Sequence, residues 1–451
     1  MLLSLKRKDT TGFSSRQLRG NNSMALQESW SEETLKTLNG PVSPEFRKQA
    51  FDSFSALGLP STKQEDWKYT NVSELAKRKF KTPSSKEFKS DEVNSFIFDE
   101  YKGARLVFLN GRFDESLSSF AELPKGVVVS SISEALKGDS KDIVQERLGK
   151  LASTKEEAFV ALNTAFLTDG TFIKISKNVK LDEPVQILQI TTKDEEDINA
   201  NLRVLVVAEE GAEANIIERF VGLSSKAYFT SSVAEFSIAP NANVKHVRLQ
   251  EEGEKAYHYS SIHLYQERDS HFETHTFSLG GKLVRNEIRP VLDGENIMSV
   301  LNGLSILSDE QHVDNFTIID HAKPHSESSE LYKGIYADKS NGVFSGQIIV
   351  REDAQKTNAF QANNSLLLSN DAKVETRPQL KIWADDVRCS HGATIGQLDD
   401  DALFYLRARG IPKDEARNML IKAFASDVIE GIETPAVESY IESKLAEKLG
   451  A

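Results

Sequence analysis

A single cysteine, Cys389, in 451 residues excludes an internal disulfide framework, a multi-cysteine zinc site and any iron–sulfur cluster held by cysteines of this chain alone. Such thiol poverty fits a reducing compartment, the cytoplasm first. Basic residues are in deficit: 55 Lys and Arg against 68 Asp and Glu give a net charge of −13, which repels phosphate backbones and argues against a nucleic-acid partner. No run approaches the roughly 20 continuous apolar residues of a membrane-spanning helix, so no membrane partner is expected. No nucleotide motif is complete, because Gly280-Gly281-Lys282 lacks the Walker spacing and the Ser or Thr after lysine, and no G-x-G-x-x-G follows a strand. What remains, 39% hydrophobic and 27% charged, is ordinary globular composition.

Four regions follow along the chain. Residues 1–23 carry five basic residues and one acid, and read either as an extension ahead of Met24 or as an organellar transit segment, which would place the chain in the plastid stroma. Residues 24–150 read as a mainly helical α+β domain. Phe46, Ala50, Phe54 and Leu57 recur at helical spacing, ARLVFLNGRF is a strand turning at Asn110-Gly111, and KGVVVSSISEALK is a strand followed by a helix. Across 151–398, short apolar runs such as VQILQI, LRVLVVA and GQIIV alternate with polar turns. Turns starting at 209, 239, 267 and 293 are spaced by 30, 28 and 26 residues, as in a β-helix, with an irregular β-sandwich as the alternative. Residues 399–451 form a helical unit, with acids at 399–401 opening one helix, Gly410 closing it and Pro412 opening the next. Ala416, Met419, Leu420, Ala423 and Phe424 make one apolar stripe there, and the unit is too small to stand without packing on the β region or on another protein.

Two constellations have chemical reach. All nine histidines lie between His246 and His391, and in HFETH the alternating His271, Glu273 and His275 share one strand face, a two-imidazole, one-carboxylate set suited to zinc or non-haem iron. A solvated polar strand face is the plain alternative. In VRCSHGAT, Cys389 and His391 at i and i+2 bring thiol and imidazole to one face, able to share a metal, while a buried structural cysteine is the common case.

The run from His321 to Gly396, with KPHSESSELYKGIYADKSNGVFSGQIIVREDAQKTNAFQANNSLLLS and VETRPQLKIWADDVRCSHGATIG, resembles the SufB/SufD family of iron–sulfur assembly scaffold proteins. LFYLRARGIPKDEARNMLIKAFASDVI, GLPSTKQEDWKYT and AFVALNTAFLTDG extend the resemblance from about Leu57 to Ile429. The D-type subunit is the nearer match, because Gly392 stands where B-type subunits carry a glutamate after the matching histidine. The resemblance implies a mainly β fold, with a right-handed parallel β-helix core between the N-terminal α+β region and the C-terminal helical unit. It implies a non-enzymatic scaffold paired with a SufB-type subunit and bound to a SufC-type ATPase, which would hold the ATP. His391, with Cys389 beside it, would face a nascent iron–sulfur cluster shared with the SufB-type subunit, nothing being held tightly by this chain alone. Iron and reduced flavin would enter at the level of the complex, with no site for either identified in the sequence, and for the chain by itself both a monomer and a homodimer stay open. Phe404, Tyr405, Leu406, Met419, Leu420 and Phe424 are candidates for the ATPase contact or for packing of the helical unit. The rival readings are a β-helix enzyme acting on polysaccharide and a free-standing metal enzyme at HFETH.

Overall fold

The computed structural model describes residues 30–83, 90–98, 101–120, 122–193 and 195–448. The segment 1–23 and the start at Met24 lie outside the described residues. From Asp169–Ile175 to Arg388–Gly396, strands alternate between a nine-stranded and a ten-stranded sheet, so that each coil contributes one strand to each. Pairing between coils is parallel throughout, as in Tyr257–Gln266 against Leu283–Leu292, and the fold is a parallel β-solenoid of about eight turns with helices at both ends.

The coil period is written into one corner. Asn241, Asp269, Asn296, His325 and Lys356 all adopt positive φ, between 57° and 62°, and Gly211 occupies the equivalent place at 69°. Asn, Asp and Gly tolerate this left-handed conformation best. Successive corners are bonded to one another, Gly211 N–H to the Pro240 carbonyl at 2.9 Å and Asp269 N–H to the Glu295 carbonyl at 2.9 Å. The polar turns expected from 209, 239, 267 and 293 are these corners.

The interior begins aliphatic. In the nine-stranded sheet, Val204, Ala234, Ile262 and Ile288 stack in register, and Phe236, Leu264 and Phe272 fill the space between the sheets. Several strands are less apolar than the runs that mark their neighbours, among them Phe229–Ile238 and Glu327–Tyr336. Register with the adjoining coils, rather than local hydrophobicity, holds these in place.

The N-terminal segment continues the solenoid. Arg105–Leu109 pairs parallel with Val185–Thr191 and antiparallel with Arg112–Ser119 across the Asn110-Gly111 turn, and Val127–Ser131 pairs antiparallel with Asp169–Ile175. Helix Pro44–Leu57 starts from Ser43, whose hydroxyl accepts the Phe46 N–H at 3.2 Å. It buries Arg47, Ala50, Phe51 and Phe54, while Leu57 stays 39% exposed, because Arg47 turns inward to donate to the Leu167 carbonyl at 2.9 Å.

Two sequence motifs serve as latches. Within GLPSTKQEDWKYT, the Trp67 ring lies 3.9 Å beneath the guanidinium of Arg285, which also pairs with Glu287 and Asp314. Within AFVALNTAFLTDG, Asn163 donates to the Leu202 and Ser231 carbonyls, each at 3.0 Å, and beside it Arg203 meets Glu235 at 2.8 Å.

Three C-terminal helices close the chain: Asp400–Ala408, Lys413–Ile429 and Pro435–Lys448. Asp399 caps the first, accepting from the Asp401 N–H at 2.9 Å, and Gly410 ends it at φ 89°. Lys413–Ile429 lies on the outer face of the ten-stranded sheet with Ile421, Ala425, Val428 and Ile429 down, among Leu304, Ile306 and Ile335. This differs from the stripe read in the sequence, for Met419 is 45% exposed and Leu420 and Phe424 are half-buried. The two stripes are similar in hydropathy, and Lys333 decides between them by donating to the Phe424 carbonyl at 2.7 Å and pairing with Asp427. Ile421→Ala should cost about 2–5 kcal/mol at this seam. It should also raise amide exchange in Lys413–Ile429 and Pro435–Lys448 ahead of the solenoid; unchanged protection in both helices would mean that another face is docked.

Candidate functional site

The two ends of the solenoid differ. At the N-terminal end the sheets finish in Arg112–Ser119 and Val127–Ser131, both antiparallel to their neighbours and joined by further chain. At the other end they finish in Lys373–Ile382 and Arg388–Gly396, parallel strands with one edge each unpaired among the described residues. The side chains of this last coil are open to solvent, Ile382 at 38%, Trp383 at 56% and Ile395 at 48%. An uncovered edge with exposed apolar side chains is open to pairing with another chain.

Cys389 and His391 lie on that last coil. Cys389 is in register with Ala359 and His391 with Gln361, and both partners point into the solenoid, so thiol and imidazole share its inward face. The i, i+2 reading therefore holds in geometry. Cys389 is half-buried against Ile348, Val350 and Ala354, and burial pushes its thiol up. His391 is exposed.

The inward row that ends at His391 changes character along the solenoid. It runs through Ile216, His246, Thr274, Leu301, Glu330 and Gln361 on successive coils. His246 is engaged on both sides, by Glu218 at 3.0 Å and Thr274 at 2.9 Å. The row is polar from Glu330 onward, and Gln361 Nε2 donates to the Glu330 carboxyl. Glu330 is 2% exposed, and burial pushes its carboxyl up to about 7. Glu330 and Gln361 were missed in the sequence. The coil period was the signal, since they precede His391 by two coils and one coil on the same row.

The HFETH residues share a face, as the alternation implies, but that face is the seam under the C-terminal helices. His275 Nδ1 donates to the Val428 carbonyl at 3.0 Å and Nε2 faces Glu273 at 2.8 Å, while Lys245 bridges Glu273 and Glu433. Both ring nitrogens of His275 are thus occupied in docking a helix end. Among the described residues no group of three or more His, Cys, Asp or Glu side chains is placed to hold a metal ion. A cleft of about 230 Å³ lies elsewhere, between Leu57–Trp67 and the sheet at Tyr259, and its Arg289 is paired with Glu287 at 2.8 Å and Glu157 at 3.1 Å.

Of the candidate contact residues on the helical unit, Phe404 is 73% exposed, Tyr405 55% and Met419 45%, with Leu406, Leu420 and Phe424 half-buried beside them. Helix Asp400–Ala408 buries no residue at all. No helix among the described residues is long and apolar enough to cross a membrane.

Fold and site together define a β-solenoid with helical flanks that is open at one end and carries an inward thiol–imidazole pair there. Residues 27–187 match the SufBD protein N-terminal region, and residues 190–424 match the SUF system FeS cluster assembly SufBD core domain. An iron–sulfur cluster assembly SufBD family protein of Synechocystis is 34% identical over 394 residues, 86% of each chain. The iron–sulfur cluster assembly protein SufD of Escherichia coli is 32% identical over 431 residues, 95% of this chain and 98% of that one. A chloroplastic Arabidopsis thaliana protein, ABCI7, is 32% identical over 393 residues, 85% of this chain and 81% of its own. The chain belongs to the SufB/SufD family of iron–sulfur cluster assembly proteins and within it is SufD-like. Family membership favours iron–sulfur cluster assembly over the polysaccharide-enzyme reading, and at HFETH both ring nitrogens of His275 are already engaged.

The raised carboxyl of Glu330 makes a prediction for the open end. A group whose folded pKa of about 7 exceeds its ordinary value of 4.5 gives its full stability below pH 4.5 and loses it as pH rises to about 7. Across that window the wild type should lose about 3 kcal/mol relative to Glu330→Gln, at roughly 1.4 kcal/mol per pKa unit. Urea unfolding of both proteins at several pH values measures the difference, and a pH-independent gap would rule out a Glu330 carboxyl pushed up by burial.

Proposed function

We propose that this chain is the non-ATPase scaffold subunit of an iron–sulfur cluster assembly complex. It would pair with a SufB-type subunit through the open end of its solenoid and bind a SufC-type ATPase through its C-terminal helical unit. The observation that supports this most is the placement of Cys389 and His391 side by side on an edge strand facing inward. A cluster needs about four ligands. Two donors at an open end suit a cargo shared with a second chain, and a partner strand added to Arg388–Gly396 would bring the others within reach. The nascent cluster is thus the cargo of the interface, and iron and reduced flavin belong to the assembled complex. In the absence of the SufB-type partner, the same exposed end would support a homodimer.

The helical unit fits the second contact. Met419 projects from a helix held to the solenoid on its opposite side, Phe404 and Tyr405 project from Asp400–Ala408, which packs on that helix, and Leu406, Leu420 and Phe424 are half-buried. ATP-driven pairing of two ATPase copies would pull these units and rearrange the scaffold contact, a two-state change biased by nucleotide. The reading places the protein in the cytoplasm. The chloroplastic relative favours the plastid stroma as the second location.

Two experiments test the reading. In the reconstituted complex, His391→Ala should abolish cluster formation while leaving the far-UV spectrum and complex assembly intact; wild-type cluster yield would sink the role given to His391. Phe404→Asp combined with Met419→Asp should lose the ATPase, but not the SufB-type subunit, in anaerobic co-purification. Retention of the ATPase would assign these side chains to no contact.

A further inference from the structure

The polar end of the inward row holds two buried oxygens that receive no hydrogen bond from the described residues, Glu330 Oε1 and Gln361 Oε1, and the second belongs to the residue next to His391 in the row. Gln361 is 2% exposed, and its Nε2 donates to Glu330 Oε2 on the preceding coil. The same nitrogen lies against Gly346 on the opposite sheet, where a Cβ would come within 2.3 Å of it. The donor end of the amide is therefore pinned from two sides. Its other end, Oε1, is buried and receives no hydrogen bond from the described residues. Buried amide oxygens rarely go unpaired. On the coil above, the residue in register with Gln361 and on the same face is His391. Its neutral ring carries one N–H, the kind of donor this oxygen lacks.

Histidines that bind metals commonly donate the other ring N–H to a carboxylate or carbonyl oxygen, which sets the tautomer and the direction of the free lone pair. We propose that Gln361 is a positioning residue: the exposed ring of His391, not bonded to Gln361 in this arrangement, turns so that Gln361 Oε1 accepts one ring N–H, Glu330 holds the amide from the other side, and the second ring nitrogen is presented as a lone pair at the open end. This column rests on the reading of His391 as the group that faces the cargo. It adds to that reading the two buried residues that would aim the ring.

Histidine-selective ¹⁵N NMR of the full-length chain, well above the ordinary imidazole pKa of about 6.5, reads the tautomer directly. Loss of one pair of signals in His391→Asn assigns them. The wild type should show one dominant tautomer at His391, with its two ring nitrogens far apart in shift. In Gln361→Met, which removes the oxygen and keeps the length, the two shifts should move toward each other as the tautomers mix. The signals of buried His246 and His321 in the same spectrum report whether the fold is intact, and Gln361→Ala replaces the methionine variant if they move. Identical His391 signals in the wild type and a folded Gln361 variant would overturn the proposal. The readout does not depend on cluster yield. A mixed tautomer in the Gln361 variant, together with wild-type cluster formation in His391→Ala, would uphold the column and overturn the role given to His391 in assembly.

Discussion

In a stack of parallel coils, each strand finds partners for its N–H and C=O groups on the coils above and below, so the hydrogen-bond ladder is complete everywhere except at its ends. The scaffold contact proposed for this molecule lies where that ladder stops. The N-terminal end is finished by antiparallel strands that double back on the chain. The C-terminal end stops on two strands of 10 and 9 residues whose outer edges are unpaired among the described residues. A long exposed edge is an aggregation hazard unless another chain covers it. Under the proposed function, pairing through this end would satisfy the backbone and bring a partner's ligands to Cys389 and His391 in one step.

The interior anticipates that ending. Aliphatic layers of Val204, Ala234, Ile262 and Ile288 supply hydrophobic stabilisation in the early coils. In the facing ten-stranded sheet the inward row passes from Leu301 to Glu330 and Gln361, with Asn363 two positions further along, all nearly inaccessible to solvent. Polar groups buried this way weaken a core and gain in definition what they lose in stability. The exchange occurs within two coils of the thiol and imidazole, where position matters more than cohesion.

Outside the sheets, buried ion pairs set the location of the flanking helices. Arg203 with Glu235 and Arg285 with Asp314 are almost completely enclosed, and each lies where an N-terminal segment crosses the sheet. Pairs of this kind add little net stability once desolvation is counted, but leaving either partner alone is costly, so they select one docking geometry. His275 and Lys333 do the same for Lys413–Ile429 by engaging the Val428 and Phe424 carbonyls. One face of that helix is thereby committed to the solenoid and Met419 is left outward, while Phe404 and Tyr405 are exposed on Asp400–Ala408.

Much of this was legible in the chain itself. Turn residues near 209, 239, 267 and 293 mark the coils because only Gly, Asn and Asp adopt left-handed corners at low cost, and that chemistry is local. The alternation of Cys389 and His391 on one face is equally local, as are the caps at Ser43 and Asp399. Tertiary structure decided the rest. Nothing near Met419 or Ile421 in sequence says which helical stripe meets the sheet, since that is settled by Lys333, some 90 residues away. HFETH reads as a metal site until the helix end that claims His275 is in place. Glu330, Gln361 and His391 are strangers along the chain and neighbours in register, because parallel stacking converts a period of about thirty residues into direct contact. Local conformational preference belongs to the sequence, and the pairing of distant coils belongs only to the folded solenoid.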